Sequence, residues 1–515
     1  MEATTSTTLP RLNAEFLKSH PELAPGIASH PLPEKVLQFG AGVFLRGFAD
    51  WMIDGMNRKG LFGGRVVVVQ STHHGRAAKL NHQDGAYTHL ARGLQDEQVV
   101  EEKSVITSIS RAIDPATQFE EYLRCARNPD LRFIVSNTTE AGIVYRAEDK
   151  PGDRPPQSFP AKLTLLLKER YKAFNGDLSK GFVFLPCELI ERNGDALKKT
   201  VLQTAANWNL DAKIVEWIEK ANVFTNTLVD RIVSGFPRDE AQALWQDCGY
   251  IDELFNVSEV FHLWVIEGPA ALAKELPLPE AGFHVIFTED VTPYRERKVR
   301  ILNGAHTSTV LAAYLAGEDL VGECMKDPLI SGFMQRAIYE EVIPTLTLPK
   351  DELEVFAASV LERFRNPFLR HALLSISLNS VAKYKARVLP SVEQYVAMKG
   401  QLPARLIFAL AALIAFYRGT VIQDGALIGH REDEEYRIQD DLAILEIFAA
   451  LWSEFDGPHL DGSTAGVHKL TDAVLRREDW WGKDLRQLPG MSAAVSGHVE
   501  SILNHGMRAS LHQVG

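Results

Sequence analysis

The chain is poor in cysteine. Its 515 residues include four, Cys125, Cys187, Cys248 and Cys324, which lie far apart and form no CxxC pair. That excludes a disulfide framework and a cysteine-built zinc site. Long apolar runs are missing too. A membrane-spanning helix needs ~18 apolar residues in a row. The longest candidate, Leu406–Tyr417 (LIFALAALIAFY), has 12 and reads as a buried helix. The polar N-terminus, MEATTSTTLPRLN, lacks the apolar segment of a secretory signal, so a cytoplasmic location is expected, with no membrane partner. Positive charge is in deficit: 55 Lys and Arg against 67 Asp and Glu leave a net charge of -12. Nucleic-acid binding, which needs a basic footprint, is therefore disfavoured. A local basic pocket for an anionic substrate is compatible with this balance.

The remainder is ordinary globular composition, 45% hydrophobic and 24% charged. The length suits two or three domains, and no internal repeat is visible. Residues 1–34, polar and dotted with proline, read as a mobile lead-in. The first strand, Lys35–Phe39, runs into Gly40-Ala41-Gly42. Phe44, Phe48, Trp51, Met52 and Met56 then fall at helical spacing. Val66–Gln70 (VVVVQ) is a β-branched run suited to a strand buried on both faces. Strand, glycine turn, helix and strand make a βαβ unit. Further strands are expected at Leu131–Ser136, Gly181–Leu185 and Gly282–Phe287, with short extra ones in 88–112. Helices alternate with them at Phe119–Ala126, Pro160–Phe174 and Asp195–Ala221. Beyond residue 290 only helices are expected, at 293–317, 328–343, 351–363, 367–386, 404–418, 440–453, 464–476 and 491–509. The run Gly429–Asp441 (GHREDEEYRIQDD) reads as a solvated loop. The expected fold is an α/β Rossmann-like domain with extra strands over 1–290, followed by an all-α domain over 291–515.

Two stretches carry chemistry. In the first, Gly40-x-Gly42 between strand and helix suits a pyrophosphate, because glycines permit a tight turn and close backbone approach. The match to GxGxxG is partial: Leu45 holds the third glycine position, and Gly47 is the next glycine. Gln70 stands where an acid usually grips the adenosine ribose, so a 2′-phosphate is not repelled, and NADP stays open beside NAD. Arg46 is a candidate phosphate partner, with a surface arginine as the alternative; Arg76 is a second cation nearby. A purely structural glycine turn is the competing reading. His73 and His74, being adjacent, point to different sides, and no metal site is expected.

The second stretch is Glu296–Leu311 (ERKVRILNGAHTSTVL), a helix opened by Thr292-Pro293. It places Lys298, Asn303 and His306 together. A carbonyl receiving hydride needs a proton donor, which a lysine supplies. An amide N–H polarises the oxygen, and a histidine orients its neighbours. On an ideal helix Lys298 stands about 140° from Asn303 and about 80° from His306. Three polar residues on an ordinary helix are the alternative.

These residues resemble a known family. The G-x-G-x-F-x-R-G turn (Gly40–Gly47) and the K-x4-N-x2-H set (Lys298, Asn303, His306) are similar to the polyol-specific long-chain dehydrogenases/reductases, the mannitol dehydrogenase family. The likeness extends over nearly the whole chain, through SNTTEAG (Ser136–Gly142), NTLVDRI (Asn226–Ile232), RFRNP (Arg363–Pro367) and LPARLIFALAALIAFYRG (Leu402–Gly419). PCELIERNGDAL, VDRIVSGFPRDE and IYEEVIPTL point to a branch acting on sugar acids.

The resemblance implies a metal-independent enzyme moving hydride between NAD(H) and a small sugar acid. It implies Lys298 as general acid/base, Asn303 as hydrogen-bond donor to the reacting oxygen, and His306 as positioning group. Leu37, Gln38, Phe39, Gly40, Ala41, Gly42, Val43, Phe44, Leu45, Arg46, Gly47 and Phe48 are the main cofactor segment, joined by Asn137, Thr138 and Val229. Asp230 belongs to the rim of the active site. Two departures stand out. Mannitol-type members carry an S-C-D-N stretch whose Asn assists the helix Asn. Here the stretch is P-C-E-L, so Leu189 takes that place, and Glu188 or Asn193 compensates or Asn303 acts alone. Secondly, Ser375 replaces an Arg eight residues before the substrate lysine, which is kept as Lys383. A substrate carboxylate needs a cation. Lys383 is the first candidate, aided by His371 and then Arg387, whereas Arg370 and Lys385 read as solvated helix cations. Members of the family acting on other uronates or on uncharged sugars are the alternative, and a non-catalytic nucleotide-binding protein a remote one. Oligomeric state is not legible.

Overall fold

The computed structural model describes residues 9–25, 31–71, 75–138, 140–456 and 464–514. His73 and His74 lie outside them. The chain divides into two compact units, Met1–Val291 and Thr292–Gly515. Among the described residues no helix is long and apolar enough to cross a membrane.

The first unit is built on a parallel sheet of six strands. Their order across the sheet is Ile109–Ile113, Arg65–Val69, Glu34–Phe39, Phe133–Ser136, Val183–Pro186 and Val223–Phe224. The valine run explains why this sheet is central. Side chains alternate along a strand. Val66 and Val68 join one core, with Phe48 and with Met52 and Met56 of the covering helix Ala49–Arg58. Val67 and Val69 join the opposite core, with Phe159, Leu163, Leu166 and Leu167 of the helix Phe159–Ala173. Both faces are thus closed by helices.

Two smaller sheets complete the unit. The strands expected in 88–112 split between sheets. Tyr87–Gln95 and Gln98–Ile106 form a hairpin turned at Asp96 and Glu97, both at positive φ, while Ile109–Ile113 joins the edge of the main sheet. The hairpin lies in a four-stranded sheet with Asn256–Ser258 and Val233–Gly235. Asn226–Asp230, Leu263–Glu267 and Val285–Thr288 make the third sheet.

Two expectations are corrected here. The helix after Gly42 is broken: a single turn, Val43–Arg46, precedes Ala49–Arg58, and Phe48 lies outside the helical region between them. The described part of the lead-in is docked rather than mobile. Leu12 is fully buried, its amide donates to the Ile251 carbonyl at 3.0 Å, and the Ile251 amide donates to Pro10 at 2.8 Å.

The second unit is helical. The apolar run is the helix Ala404–Phe416, buried from Leu406 onward. The expectation of no strand fails at one place. Val421–Gln423, Ala426–Arg431 and Glu434–Ile438 form an antiparallel sheet through most of the acidic run read as a loop. Along its last strand the buried Tyr436 and Ile438 alternate with the exposed Glu435 and Arg437, and Glu434 is exposed at the strand's start. The single helix expected over 367–386 is also interrupted. Leu373–Ile376 and Ser380–Arg387 are separated by Asn379 at φ 53°, whose amide donates to the Gln439 carbonyl at 2.9 Å. A further helix, Leu389–Lys399, follows with Pro390 in its first turn, where a proline costs no hydrogen bond.

Candidate active site

In the first unit the strand Glu34–Phe39 ends at Gly40, which has φ +121°. A Cβ there would stand 2.9 Å from the Asn137 carbonyl oxygen, so the turn needs glycine for both conformation and space. At Gly42 a Cβ would meet nothing within 4 Å. Beside the turn is a cavity of about 590 Å³ at the C-terminal ends of the strands, where α/β sheets bind ligands. Phe39, Gln70, Asp114, Thr138 and Lys162 line it. A close-approach glycine and a cavity of this size fit the adenosine side of a dinucleotide.

The expected cofactor residues fall into two groups. Phe39, Gly40, Gly42 and Thr138 are at the turn or the cavity. Leu37, Leu45 and Phe48 are core, and Phe44 stacks on Phe48 with ring centroids 5.0 Å apart. Gln38 is a buried strut: its Nε2 donates to the Gly40 carbonyl and to Asp50 Oδ2, each at 3.1 Å. Burial raises Asp50 to about 7. Val229 is buried opposite Trp264 in the third sheet, and Asp230 opposite Leu263.

Arg46 departs from both readings offered for it. It is fully buried, donates to the Leu254 carbonyl, and lies over the Tyr87 ring at 5.2 Å. Its side chain is committed to packing this unit. Gln70 is also engaged, its Oε1 accepting from the Ala77 amide at 3.1 Å.

Neither proposed substitute for the missing second amide is at liberty. Asn193 Nδ2 donates to the carbonyls of Pro186, Glu188 and Thr227 at 2.9, 3.1 and 3.1 Å, and its Oδ1 accepts from Gly194 and Thr227. Glu188 is held by Ser136 and Thr138. Leu189 is 65% exposed.

In the second unit the Lys298–Asn303 segment is a π-helix, set between Thr292–Arg297 and Gly304–Leu315. Its i→i+5 bonding places a residue five positions on roughly one turn above, so Lys298 and Asn303 share a face. The ideal-helix angle of about 140° does not apply. Single π turns of this kind concentrate at functional sites.

His306 is buried, and its imidazole lies parallel to the Phe364 ring at 4.2 Å. The His371 ring stands edge-on at 5.5 Å. Burial first, and then the charges of His371, Arg363, Arg387 and Lys383, lower the His306 pKa to about 3. Every charged neighbour in that set is cationic or becomes so on protonation. The set is brought in by close helix packing: a Cβ on Gly304 would meet the Arg387 carbonyl at 3.3 Å. The Arg387 guanidinium reaches Thr307 Oγ1 at 3.4 Å, and Thr307 donates to the Asn303 carbonyl at 2.9 Å. Lys383 Nζ donates to the Ile376 carbonyl at 2.8 Å, which fixes the amine beside the interruption of the helix. His306, His371, Lys383 and Arg387 are therefore gathered, with Lys298 and Asn303 on the preceding π turn. Arg363 and Phe364, within the RFRNP stretch, were not singled out from sequence as site residues. Their signal was an arginine–aromatic pair on a helix face otherwise apolar.

Models of known families settle the wider relationship. The mannitol dehydrogenase Rossmann domain matches residues 34–280, and the mannitol dehydrogenase C-terminal domain matches residues 290–503. The chain belongs to the mannitol dehydrogenase family. It is thus a nicotinamide-dependent oxidoreductase acting on CH–OH groups. Altronate oxidoreductases of Escherichia coli, Shigella flexneri and Pectobacterium atrosepticum are each 47% identical to it over 480 residues, which is 93% of this chain and 96% of theirs. Among solved structures, D-sorbitol dehydrogenase in substrate-free form is similar with a TM-score of 0.80 at 22% identity, covering 98% of this chain and 100% of that one. Mannitol 2-dehydrogenase of Pseudomonas fluorescens, in complex with NAD and D-mannitol, is similar with a TM-score of 0.67 at 23% identity, covering 98% and 99%. Both likenesses show that this member of the mannitol dehydrogenase family has the family's fold.

Proposed function

We propose that this enzyme interconverts D-tagaturonate and D-altronate with NAD(H), a step of hexuronate breakdown in the cytoplasm. The observation that carries the substrate class is the company of His306: the cations Arg363, Arg387 and Lys383 act on its neutral imidazole, and the His371 ring stands edge-on at 5.5 Å. Such a pocket suits a carboxylate and is wasted on an uncharged polyol. The altronate oxidoreductases, alike over 93% of the chain, support the choice of sugar acid.

When bound, the nicotinamide supplies hydride to the ketone or accepts it from the alcohol. The chain's own residues handle the proton and the oxygen. Lys298 gives a proton to the ketone oxygen and recovers it in reverse. Asn303 donates its amide N–H to that oxygen as charge develops. With Asn193 and Glu188 committed elsewhere, Asn303 acts without a second amide. His306, neutral and wedged on Phe364, holds its ring at one angle and so orients the sugar. Lys383, with His371 and then Arg387, receives the carboxylate, and Asp230 forms the rim. Gly40, Gly42, Asn137 and Thr138 hold the dinucleotide, with Val229 nearer the nicotinamide. Residues 1–290 form the cofactor domain and 291–515 the catalytic one.

Initial rates of NADH and NADPH oxidation with tagaturonate, fructuronate and fructose test this reading. Tagaturonate with NADH is expected to give the highest kcat/KM. Fructose as the best substrate overturns the carboxylate reading; fructuronate as the best overturns the choice of uronate.

A further inference from the structure

Glu188 is one of the alternatives weighed for assisting Asn303, and the structure shows it engaged with Ser136 and Thr138. It is 3% exposed and stands just past the strand Val183–Pro186. One carboxylate oxygen accepts from the Thr138 amide at 3.0 Å and from the Thr138 hydroxyl at 2.9 Å. The other accepts from the Ser136 hydroxyl at 3.0 Å. Between these, Asn137 Nδ2 donates to the Cys187 carbonyl at 3.0 Å. These bonds draw the end of Phe133–Ser136 onto the end of Val183–Pro186, two neighbouring strands of the main sheet.

The clamped residues also shape the cofactor cradle. The Asn137 carbonyl lies 2.9 Å from where a Gly40 Cβ would be, so it sets the room available to the glycine turn. Thr138 lines the cavity beside that turn. A shift of 136–138 would move one wall of the cavity and the ceiling over the turn together.

We propose that Glu188 is a positioning residue for the dinucleotide, acting through Ser136 and Thr138 and not on the sugar. The inference rests on the reading that this cavity takes the nucleotide. A buried carboxylate receiving three hydrogen bonds grips more firmly than a neutral acceptor. Glutamine keeps its shape and the oxygen that faces Thr138, and its amide can donate to the Ser136 hydroxyl. Alanine leaves the Thr138 and Ser136 donors without their acceptor.

The test is NADH titration of the full-length protein by fluorescence, with thermal unfolding and steady-state kinetics in parallel. Glu188→Ala is expected to raise the NADH Kd about tenfold or more, and to raise the NADH KM by a larger factor than it lowers kcat. Glu188→Gln is expected to recover most of that affinity, whereas Glu188→Leu, which keeps the bulk without an acceptor, is not; equal recovery by both would make the role one of packing. Thr138→Val removes one donor from the other side; its effect on NADH is expected to be smaller and less than additive with Glu188→Ala. Should Glu188→Ala not fold, Thr138→Val and Glu188→Gln carry the test, the first weakening NADH and the second nearly preserving it. Unchanged NADH affinity in Glu188→Ala, even with a lowered melting temperature, overturns the proposal. So does a loss confined to kcat and the sugar KM, which returns Glu188 to the reacting oxygen. Wild-type protein that binds no NADH overturns the nucleotide reading itself, and the clamp with it.

Discussion

The imidazole of His306 lies on the ring of Phe364 with centroids 4.2 Å apart and planes 21° from parallel. Stacking and burial keep the ring dry, and the cations around it oppose a proton. The site thereby holds a histidine that does not titrate near neutrality.

This has a measurable sign. The His306 pKa is about 3 in the folded chain and near 6.5 when unfolded. The unfolded state therefore binds the extra proton first as pH falls. Stability is intact above pH ~6.5 and is lost progressively toward the folded pKa. Between pH 7.5 and 5 this one group costs about 2 kcal/mol. His306→Gln is expected to remove that share of the acid slope, as read from denaturant midpoints of the second unit at the two pH values. An unchanged slope would show that His306 is protonated in the folded protein.

Lys298→Ala is expected to lower kcat by about 10²–10⁴-fold, the range for a positioned acid or base. NADH affinity should hold, because no cofactor contact is assigned to this residue. Stopped-flow reduction and NADH titration of the same preparation separate the two effects. Weakened NADH binding with an intact hydride step would assign Lys298 to the cofactor.

Lys383→Ala is expected to raise KM for tagaturonate by roughly tenfold or more, the cost of one charge-assisted hydrogen bond. Turnover of an uncharged ketose should change little. Paired kcat/KM values for the two substrates check this, and equal losses on both would remove the carboxylate role from Lys383.

Asp50 is predicted to weaken the fold at high pH. It is fully buried, and its pKa is about 7, well above the ordinary carboxylate value near 4. A raised acid contributes stability below that ordinary value, and the contribution is lost as pH rises through about 7. The ceiling on the loss at pH 8 is on the order of 4 kcal/mol. Asp50→Asn should therefore melt higher than wild type at pH 8, with the gain gone by pH 4.

Much of this was legible in the residues, and the failures have physical causes. The valine run and the glycine turn announced a doubly covered parallel sheet, because burial on both faces tolerates little else. The acidic run 429–441 misled because charge was read without its period. Tyr436 and Ile438 alternate with Glu435 and Arg437, and Asp424-Gly425 is a two-residue hairpin turn at positive φ. Arg46 was misplaced because a cation next to a glycine turn suggests phosphate; nothing local reveals that Leu254, 208 residues away, takes its guanidinium. The engagement of Glu188 is hidden for the same reason: its partners Thr138 and Ser136, at the end of a neighbouring strand, are 50 and 52 residues earlier.

The π turn has a consequence for how the Lys–Asn–His signature is used. Lys298 and Asn303 share a face because their helix departs from the regular winding. The signature is therefore a statement about pitch as much as about letters. Grafted onto a regular helix, the same string would aim its lysine and its amide about 140° apart, and a protein designed around it would carry the right residues on different faces.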